Sequence, residues 1–499
     1  MKKYIIQTII GVLLFSSCED YLTTVPSDQY TVENFWSSEE EAQAGLTGVY
    51  EVLRGYHTNQ LFSSSQLTPN SSRFDDPGGW RSLARGVAQT TNPLFLSAWS
   101  SNYRGIGRAN TVIDNVNAEN LEGTDQDVID QIVGEAKFLR AFFYYDLVYK
   151  FGGVPLIIET PDFEKHGDLG RSEKSEVVTQ ILKDLDEAVA VLAENNSPGR
   201  ATKGAALALK ARVLLYEKRW SEAANTAQQV MNLNKYSLFP NYRGLFMLEN
   251  ENNSEVIWDI QFKLPEFGHS YDDAVDRHSN NSPLKELVDA YHMTDGMSIE
   301  ESPLYDPENP YENRDPRLYQ SIRLMGKMYN GNIDTPQQLD QTGFGTKKFT
   351  TYADDTTIPE IPGGKSEINP IVIRYAEVLL TYAEATNEAE GPTQSVYDAL
   401  NQIRNRPTVE MPDFPAGLSQ EEMRQEIRNE RRVELAMEGK YLEDIKRWET
   451  AEIELNGPAH DWQGNVYEVR KFDPNRDYLW AIPTQEIDLN PNLQQNPGW

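Results

Sequence analysis

Residues 207–231 carry two runs of small and aliphatic side chains with one spacing. Leu207, Ala208, Ala211, Leu214 and Leu215 fall at i, i+1, i+4, i+7 and i+8, and Ala223, Ala224, Ala227, Val230 and Met231 repeat the pattern after Lys218, Arg219 and Trp220. That period puts each run on one face of an α-helix, so the segment predicts a helical hairpin, with Ser221 placed to cap its second member. Alanines at the facing positions let the helices approach closely, but each pair keeps an uncovered side that another pair must bury. The sequence supplies further pairs. Ala376, Leu379, Leu380 and Ala383 break at Gly391 and Pro392 and resume with Val396, Ala399, Leu400 and Ile403. Ile132, Ala136, Leu139, Phe143 and Leu147 match Val178, Ile181, Leu182, Leu185, Val189 and Leu192, and residues 38–53 match residues 97–117. The expected fold is mainly α.

These pairs resemble tetratricopeptide hairpins, although the period of about 34 residues is not kept. Between them lie long stretches rich in Gly, Pro, Asn and Asp, at 56–95, 151–172, 234–283, 298–370 and 452–499. Loops of that length in a compact chain are functional or disordered, and their aromatics argue for order. One strand is expected, where Val256, Trp258, Ile260 and Phe262 alternate with polar neighbours.

Composition narrows the partners. The 499 residues carry a formal charge of −31 with no basic cluster, which opposes nucleic acid and anionic lipid. The single cysteine, Cys18, excludes an intramolecular disulfide and any multi-cysteine zinc site, and the six histidines show no metal-ligand spacing. Lys2 and Lys3 precede an apolar run from Tyr4 to Phe15, then Ser16, Ser17 and Cys18. That is the layout of a signal peptide, and the run falls short of the roughly 20 residues a membrane span needs. Cys18 stands where a bacterial lipobox places its acylated residue, with Phe15 where leucine is usual. Acylation there would tether the mature chain to a membrane.

Four segments go beyond periodicity. IRNERRVELAMEGKYLEDIKRW at 427–448, LWAIPTQEIDLNPNLQQNPGW at 479–499, FLRAFFYYDLVYKFGGVPL at 138–156 and RDPRL at 314–318 resemble, in order, signatures of the SusD/RagB family of outer-membrane lipoproteins. Met437, Lys440 and Ala481 depart mildly from its pattern. The resemblance implies about eight helices in four tetratricopeptide-like pairs, an irregular loop-rich subdomain carrying the ligand surface, and few short strands. It implies a leader at 1–17, an N-terminal region at 18–265 and a C-terminal region at 266–499, interlocked as one unit. It further implies a cell-surface lipoprotein that binds oligosaccharide or polysaccharide and delivers it to a SusC-like TonB-dependent transporter, without catalysis and without a cofactor. A RagB-like protein of this kind carries peptide instead. Calcium in the acidic stretch 306–315 is conceivable, but EF-hand spacing is absent.

Within the signatures, Arg431, Arg432, Glu434, Glu438, Asp444 and Arg447 are spaced for charge pairs along one helix, a structural role. Pro483, Asn490 with Pro491 and Asn496 with Pro497 fix turns that clamp the terminus. Ligand chemistry belongs to loops. In NSSRFDDPGGWRS at 70–82, Trp80 follows a Pro-Gly-Gly turn and is expected to present a flat ring to a sugar face. Asn70, Arg73, Asp75, Asp76 and Arg81 would supply flanking donors and acceptors. Residues 263–281 offer Phe267 and Tyr271 as a second platform, with His269, Asp272, Asp273 and Arg277 nearby. Trp36 and Trp99 adjoin helical patterns and belong to the core. A glycosidase needs two carboxylates about 5 to 10 Å apart. Asp75 with Asp76 or Asp272 with Asp273 do not supply them, since neighbouring side chains diverge. No HExxH, GxSxG or GxGxxG occurs, and GGKS at 363–366 fails as a phosphate loop because Pro359 stands at its first glycine.

Overall fold

The computed structural model describes residues 35–277 and 279–499. The expected leader, Cys18 and His278 lie outside the described residues. Every helical run expected from spacing is a helix: α1 (Glu39–Glu51), α2 (Pro93–Asn115), α3 (Gln126–Phe151), α4 (Lys174–Val191), α5 (Lys203–Tyr216), α6 (Trp220–Asn232), α7 (Tyr375–Glu390) and α8 (Gln394–Arg404). Each packs on the next in chain order, as stacked hairpins require. Ala208, Ala211, Ala223, Ala227, Ala376, Ala383 and Ala399 lie in one continuous core, so the small faces are the ones in contact. Trp99 is buried in that core and Trp36 packs against it. Ser221 is not the cap. Lys218 adopts a left-handed φ of 56° that closes the turn early, and α6 starts at Trp220 behind Arg219, whose guanidinium bonds Glu222.

The strands are short and tie distant segments together. They include β1 (Ser71–Ser72), β2 (Val256–Asp259), β3 (Ser282–Pro283), β4 (Ile322–Leu324), β5 (Phe344–Thr346), β6 (Ile371–Arg374), β7 (Gly457–His460) and β8 (Val466–Arg470). β1 pairs with β3, β2 with β6, β4 with β5, and β7 with β8, all antiparallel. In β2 the expected alternation is lost: Ile257 and Asp259 are buried along with Trp258, because both faces of the strand are covered. Among the described residues no helix is long and apolar enough to cross a membrane.

The expected single charged helix is two. α9 (Gln420–Glu434) begins at a capping box formed by Ser419 and Glu422. α10 (Tyr441–Arg447) follows a turn in which Met437 and Gly439 take φ of 63° and 72°. Asp444 and Arg447 do pair, at 2.8 Å, but most of the other charges reach across the fold. Glu434 meets Arg374 at 2.7 Å, Arg406 at 2.9 Å and Arg317 at 2.9 Å. Glu255 meets Arg374 at 2.7 Å and Arg406 at 2.6 Å, and Glu438 meets Arg374 at 2.8 Å and Lys348 at 2.7 Å. All of these side chains are buried. The terminus is clamped mainly by asparagine side chains. Asn496 donates to the carbonyls of Phe151 (3.0 Å) and Trp480 (2.7 Å), and Asn490 donates to that of Leu169 (2.8 Å).

Burial alone raises a carboxyl's pKa, but Arg374, Arg406 and Arg317 more than reverse this at Glu434, which is held far below its usual range. Glu377, buried against Arg212, is brought to about 2 from 4.5. Glu434→Gln leaves three guanidiniums short of charge and is expected to cost about 3–5 kcal/mol, seen as a large fall in melting temperature. The exposed Glu421→Gln should stay within about 0.5 kcal/mol of the parent. Groups with depressed folded pKa values stabilise fully above their unfolded pKa and lose that contribution as pH falls through the folded one. Thermal unfolding followed by circular dichroism should therefore show stability falling from about pH 4.5 toward about pH 2.

Candidate functional site

The loop after β1 is organised by its own polar groups. Asp76 accepts from the backbone N–H of Arg81 (2.8 Å) and of Ser82 (2.9 Å), which starts a helical turn at Trp80–Ala84. Gly79 enters that turn at φ 79°, and a Cβ there would lie 1.9 Å from Asn92 Oδ1, so only glycine permits the fold-back. The consequence corrects the expectation for Trp80. Its ring turns inward, is 6% exposed and joins the main core, so it presents no platform. Asn70 is also buried, its Oδ1 accepting from Arg432 Nε at 2.9 Å.

Arg73, Asp75, Asp76 and Arg81 do come together, around a ring that the sequence reading passed over. Phe74 is 41% exposed. Arg73 Nε donates to Asp75 Oδ1 at 2.6 Å, Arg81 Nη1 donates to the Phe74 carbonyl, and Arg81 Nε lies 3.5 Å from Glu468. The last contact brings in the β7–β8 hairpin. Along β8 the inward side chains are Glu468 and Arg470, which pair at 2.8 Å, while Val466 and Val469 face out. Arg470 also donates to the Ser71 carbonyl at 2.8 Å, so the hairpin is pinned to the base of the Phe74 loop.

The hairpin's turn carries a second ring. Asp461 Oδ1 accepts from the backbone of Gln463 (2.9 Å) and Asn465 (2.8 Å), which fixes the turn that displays Trp462, 39% exposed. The Trp462 backbone N–H donates to the Thr342 carbonyl at 2.9 Å, and the indole edge lies on Gly343, where a Cβ would come within 1.9 Å of it. Tyr467 OH donates to Gln341 Oε1 at 3.0 Å, and Ser279 Oγ donates to Asp340 Oδ1 at 3.3 Å. The loop at 73–81, the hairpin and residues 340–343 are thus joined to one another, and they carry two half-exposed rings, Phe74 and Trp462, with carboxylate, amide, guanidinium and phenol groups on the same segments. Phe74 was legible as an aromatic inside the segment singled out for Trp80. Trp462 was legible from DWQGN, a turn sequence ahead of the alternating VYEVR.

Residues 263–281 divide. Tyr271 stacks on Phe62 with centroids 4.0 Å apart and is buried, so it offers no platform either. Asp272 is buried and accepts from Thr351 N–H at 2.8 Å and Thr351 Oγ1 at 2.9 Å. His269 packs between Phe62 and Phe262, its Nε2 is 2.9 Å from the Ile368 carbonyl, and burial brings its pKa down to about 4. Phe267 is 44% exposed, but the Arg54 guanidinium covers its ring at 3.7 Å. In the stretch 306–315, Asp306 accepts from Glu308 N–H (2.9 Å) and Asn309 Nδ2 (2.8 Å). Among the described residues no group of His, Cys, Asp and Glu is gathered as a metal site requires.

Comparison with known proteins places the chain. A sequence model of the SusD family matches residues 245–499, and a model described as starch-binding associating with outer membrane matches residues 20–215. SusD-like protein P25 of Formosa agariphila is 27% identical, with 97% of this chain aligned to 96% of that one. The crystal structure of a SusD-like carbohydrate binding protein from Bacteroides fragilis superposes with a TM-score of 0.82 at 27% identity, over 92% of this chain and 100% of that one. A laminarin binding SusD-like protein superposes with a TM-score of 0.74 at 26% identity, over 93% of this chain and 100% of that one. The helical stack and the C-terminal match across half the chain lead to one conclusion: the protein belongs to the SusD family.

Proposed function

We propose that this protein is a surface-exposed outer-membrane lipoprotein that binds oligosaccharide or polysaccharide on the face between Phe74 and Trp462. In this reading it delivers the glycan, chemically unchanged, to a SusC-like TonB-dependent transporter. The observation that carries the reading is the pair of half-exposed rings standing on a surface of fixed donors and acceptors. A flat ring covers the C–H face of a sugar, and carboxylates, amides and guanidinium groups serve its hydroxyls, which both donate and accept. Carbohydrate binding by the Bacteroides fragilis relative and laminarin binding by another support the ligand class. The family description that mentions the outer membrane supports the location. The acids of the Phe74 loop serve the fold, Asp75 pairing with Arg73 and Asp76 holding the turn, which supports a ligand carried unchanged. Cys18 is the proposed acylated residue, and the helical stack is the proposed transporter-facing side.

Calorimetry or affinity electrophoresis of the mature protein against oligosaccharides and peptides tests this directly. Phe74→Ala and Trp462→Ala should each weaken glycan binding at least about tenfold, or about 1.4 kcal/mol, with little change in melting temperature. Trp80→Ala should instead cost about 3–5 kcal/mol of stability. Binding of peptides alone would favour a peptide carrier, and release of reducing ends abolished by changing one acid would make the protein a hydrolase. Separately, Cys18→Ala should abolish incorporation of labelled fatty acid and release the protein from the membrane fraction, with glycan binding in solution retained.

A further inference from the structure

A cavity of about 650 Å³ shares no residue with the face between Phe74 and Trp462. It opens between the loop after His292, the loop at 412–415 and α9. Its volume falls in the range of about 300–1,000 Å³ usual for small-molecule sites. One lining side chain is hard to explain by folding alone. Arg404, at the C-terminal end of α8, is 3% exposed, lies with its guanidinium 4.0 Å from the centre of the Phe414 ring, and has no partner for its Nε–H. Glu430 Oε2 is 3.8 Å from Nη1, close enough to offset part of the charge but beyond hydrogen-bond reach. The charge is offset only in part, and the Nε–H has no acceptor. Arg404 lines the cavity, so a polar acceptor there would give its guanidinium a hydrogen bond that it lacks.

The remaining lining decides what that acceptor can be. Asp295, Glu301, Asp413 and Glu426 stand around the same space. An anionic ligand would meet all four carboxyl groups, and a cationic one would meet Arg404. The lining thus sets the Arg404 donor among carboxylate acceptors, and burial holds the Glu426 carboxyl above its ordinary range. Neutral hydroxyls suit such a lining because each both donates and accepts. Met297, 48% exposed, adds apolar surface. We infer that this cavity is a second carbohydrate site, separate from the aromatic face, in which Arg404, braced on Phe414, donates to the hydroxyls of a neutral sugar segment. The inference rests on the glycan reading for its ligand class and not for its location.

Hydrogen exchange of the mature protein with maltohexaose, laminarihexaose or a neutral β-mannan hexasaccharide at millimolar concentration separates the two sites. At least one neutral sugar is expected to slow exchange several-fold in segments 294–301 and 412–426, in the parent and in the Phe74→Ala, Trp462→Ala double variant alike. Arg404→Lys keeps the charge but loses the fork and should abolish that protection. Asp413→Trp leaves Arg404 in place, fills the space from an exposed position, and should do the same if the lysine variant folds poorly. Protection confined to 73–81, 340–343 and 461–467 overturns the second site and leaves the proposed function standing. Protection of the cavity alone supports the second site and removes the aromatic face. Protection of neither overturns both, and stronger protection of the cavity by glucuronate or by a lysine peptide overturns the neutral-sugar assignment.

Discussion

Glu434 is the point on which the separate parts of this molecule converge. Its carboxylate is shared by Arg317 of the irregular region, Arg374 at the head of α7 and Arg406 just past α8, while Glu255 ahead of β2 joins the last two. Its backbone carbonyl accepts from Tyr242 OH, Lys348 Nζ and Arg374 Nη2. Burying any one of these charges alone costs several kcal/mol, and the loss is offset only when the partners arrive with good geometry. The network is therefore a registration device more than a source of net stability. Each segment is tolerated in place only if the others are too, which couples the helical stack to the loops it carries. Most of the loop chain has little regular structure to fix its position, so the network supplies what a sheet would supply elsewhere.

The same logic, on a smaller scale, shapes the aromatic face. Charged groups there are spent on holding backbone: Asp76 on the turn before Trp80, Asp461 on the hairpin turn, and Glu468 with Arg470 on the join between hairpin and loop. Those interactions fix the backbone that carries Phe74 and Trp462 without burying the rings. A ring held in place loses little rotamer freedom when a sugar docks, so more of its contact area becomes affinity. In the proposed reading a fixed backbone matters because the rings stand on different loops, and a shift in either would change how a glycan meets them.

The helices were readable because their signal is local. Ala208, Ala211, Ala223 and Ala227 mark a contact face by period alone, and the structure puts all four in the core. The turn at Ser221 was misread by two residues because a left-handed Lys218 carries no sequence mark as strong as glycine. The charged signature at 427–448 was rightly read as structural, but most of its partners lie at positions 317, 348, 374, 384 and 406, and no spacing rule reaches that far. For the site, the right loop was found and the wrong ring chosen. In FDDPGGW both aromatics flank a turn, and which one points outward depends on Asn92 and on the carboxylate of Asp76, neither of which periodicity reports. Tyr271 failed for a similar reason: the alternation that ended at Phe262 gave no hint that Phe62, far earlier in the chain, would stack on it. Trp462 was missed because the stretch 452–499 was read as loop, although its hairpin inverts the usual pattern by burying an ion pair and exposing valines.

Magnitudes bear on what such a face is good for. Two rings that each remove about 100 Å² from water contribute about 2.5 kcal/mol apiece, against an association cost of at least about 4 kcal/mol. Hydrogen bonds to exposed hydroxyls add little, since water competes for every one of them. The balance falls in the millimolar to micromolar range, about −4 to −8 kcal/mol. A protein meant to retain sugar would need a deeper site, whereas a protein meant to pass it on is served by a shallow one. In the proposed reading, a partner that closes over the ligand from the other side would add contact area without requiring this chain to let go first, and the face between Phe74 and Trp462 would leave the outer side of a bound glycan free for that contact.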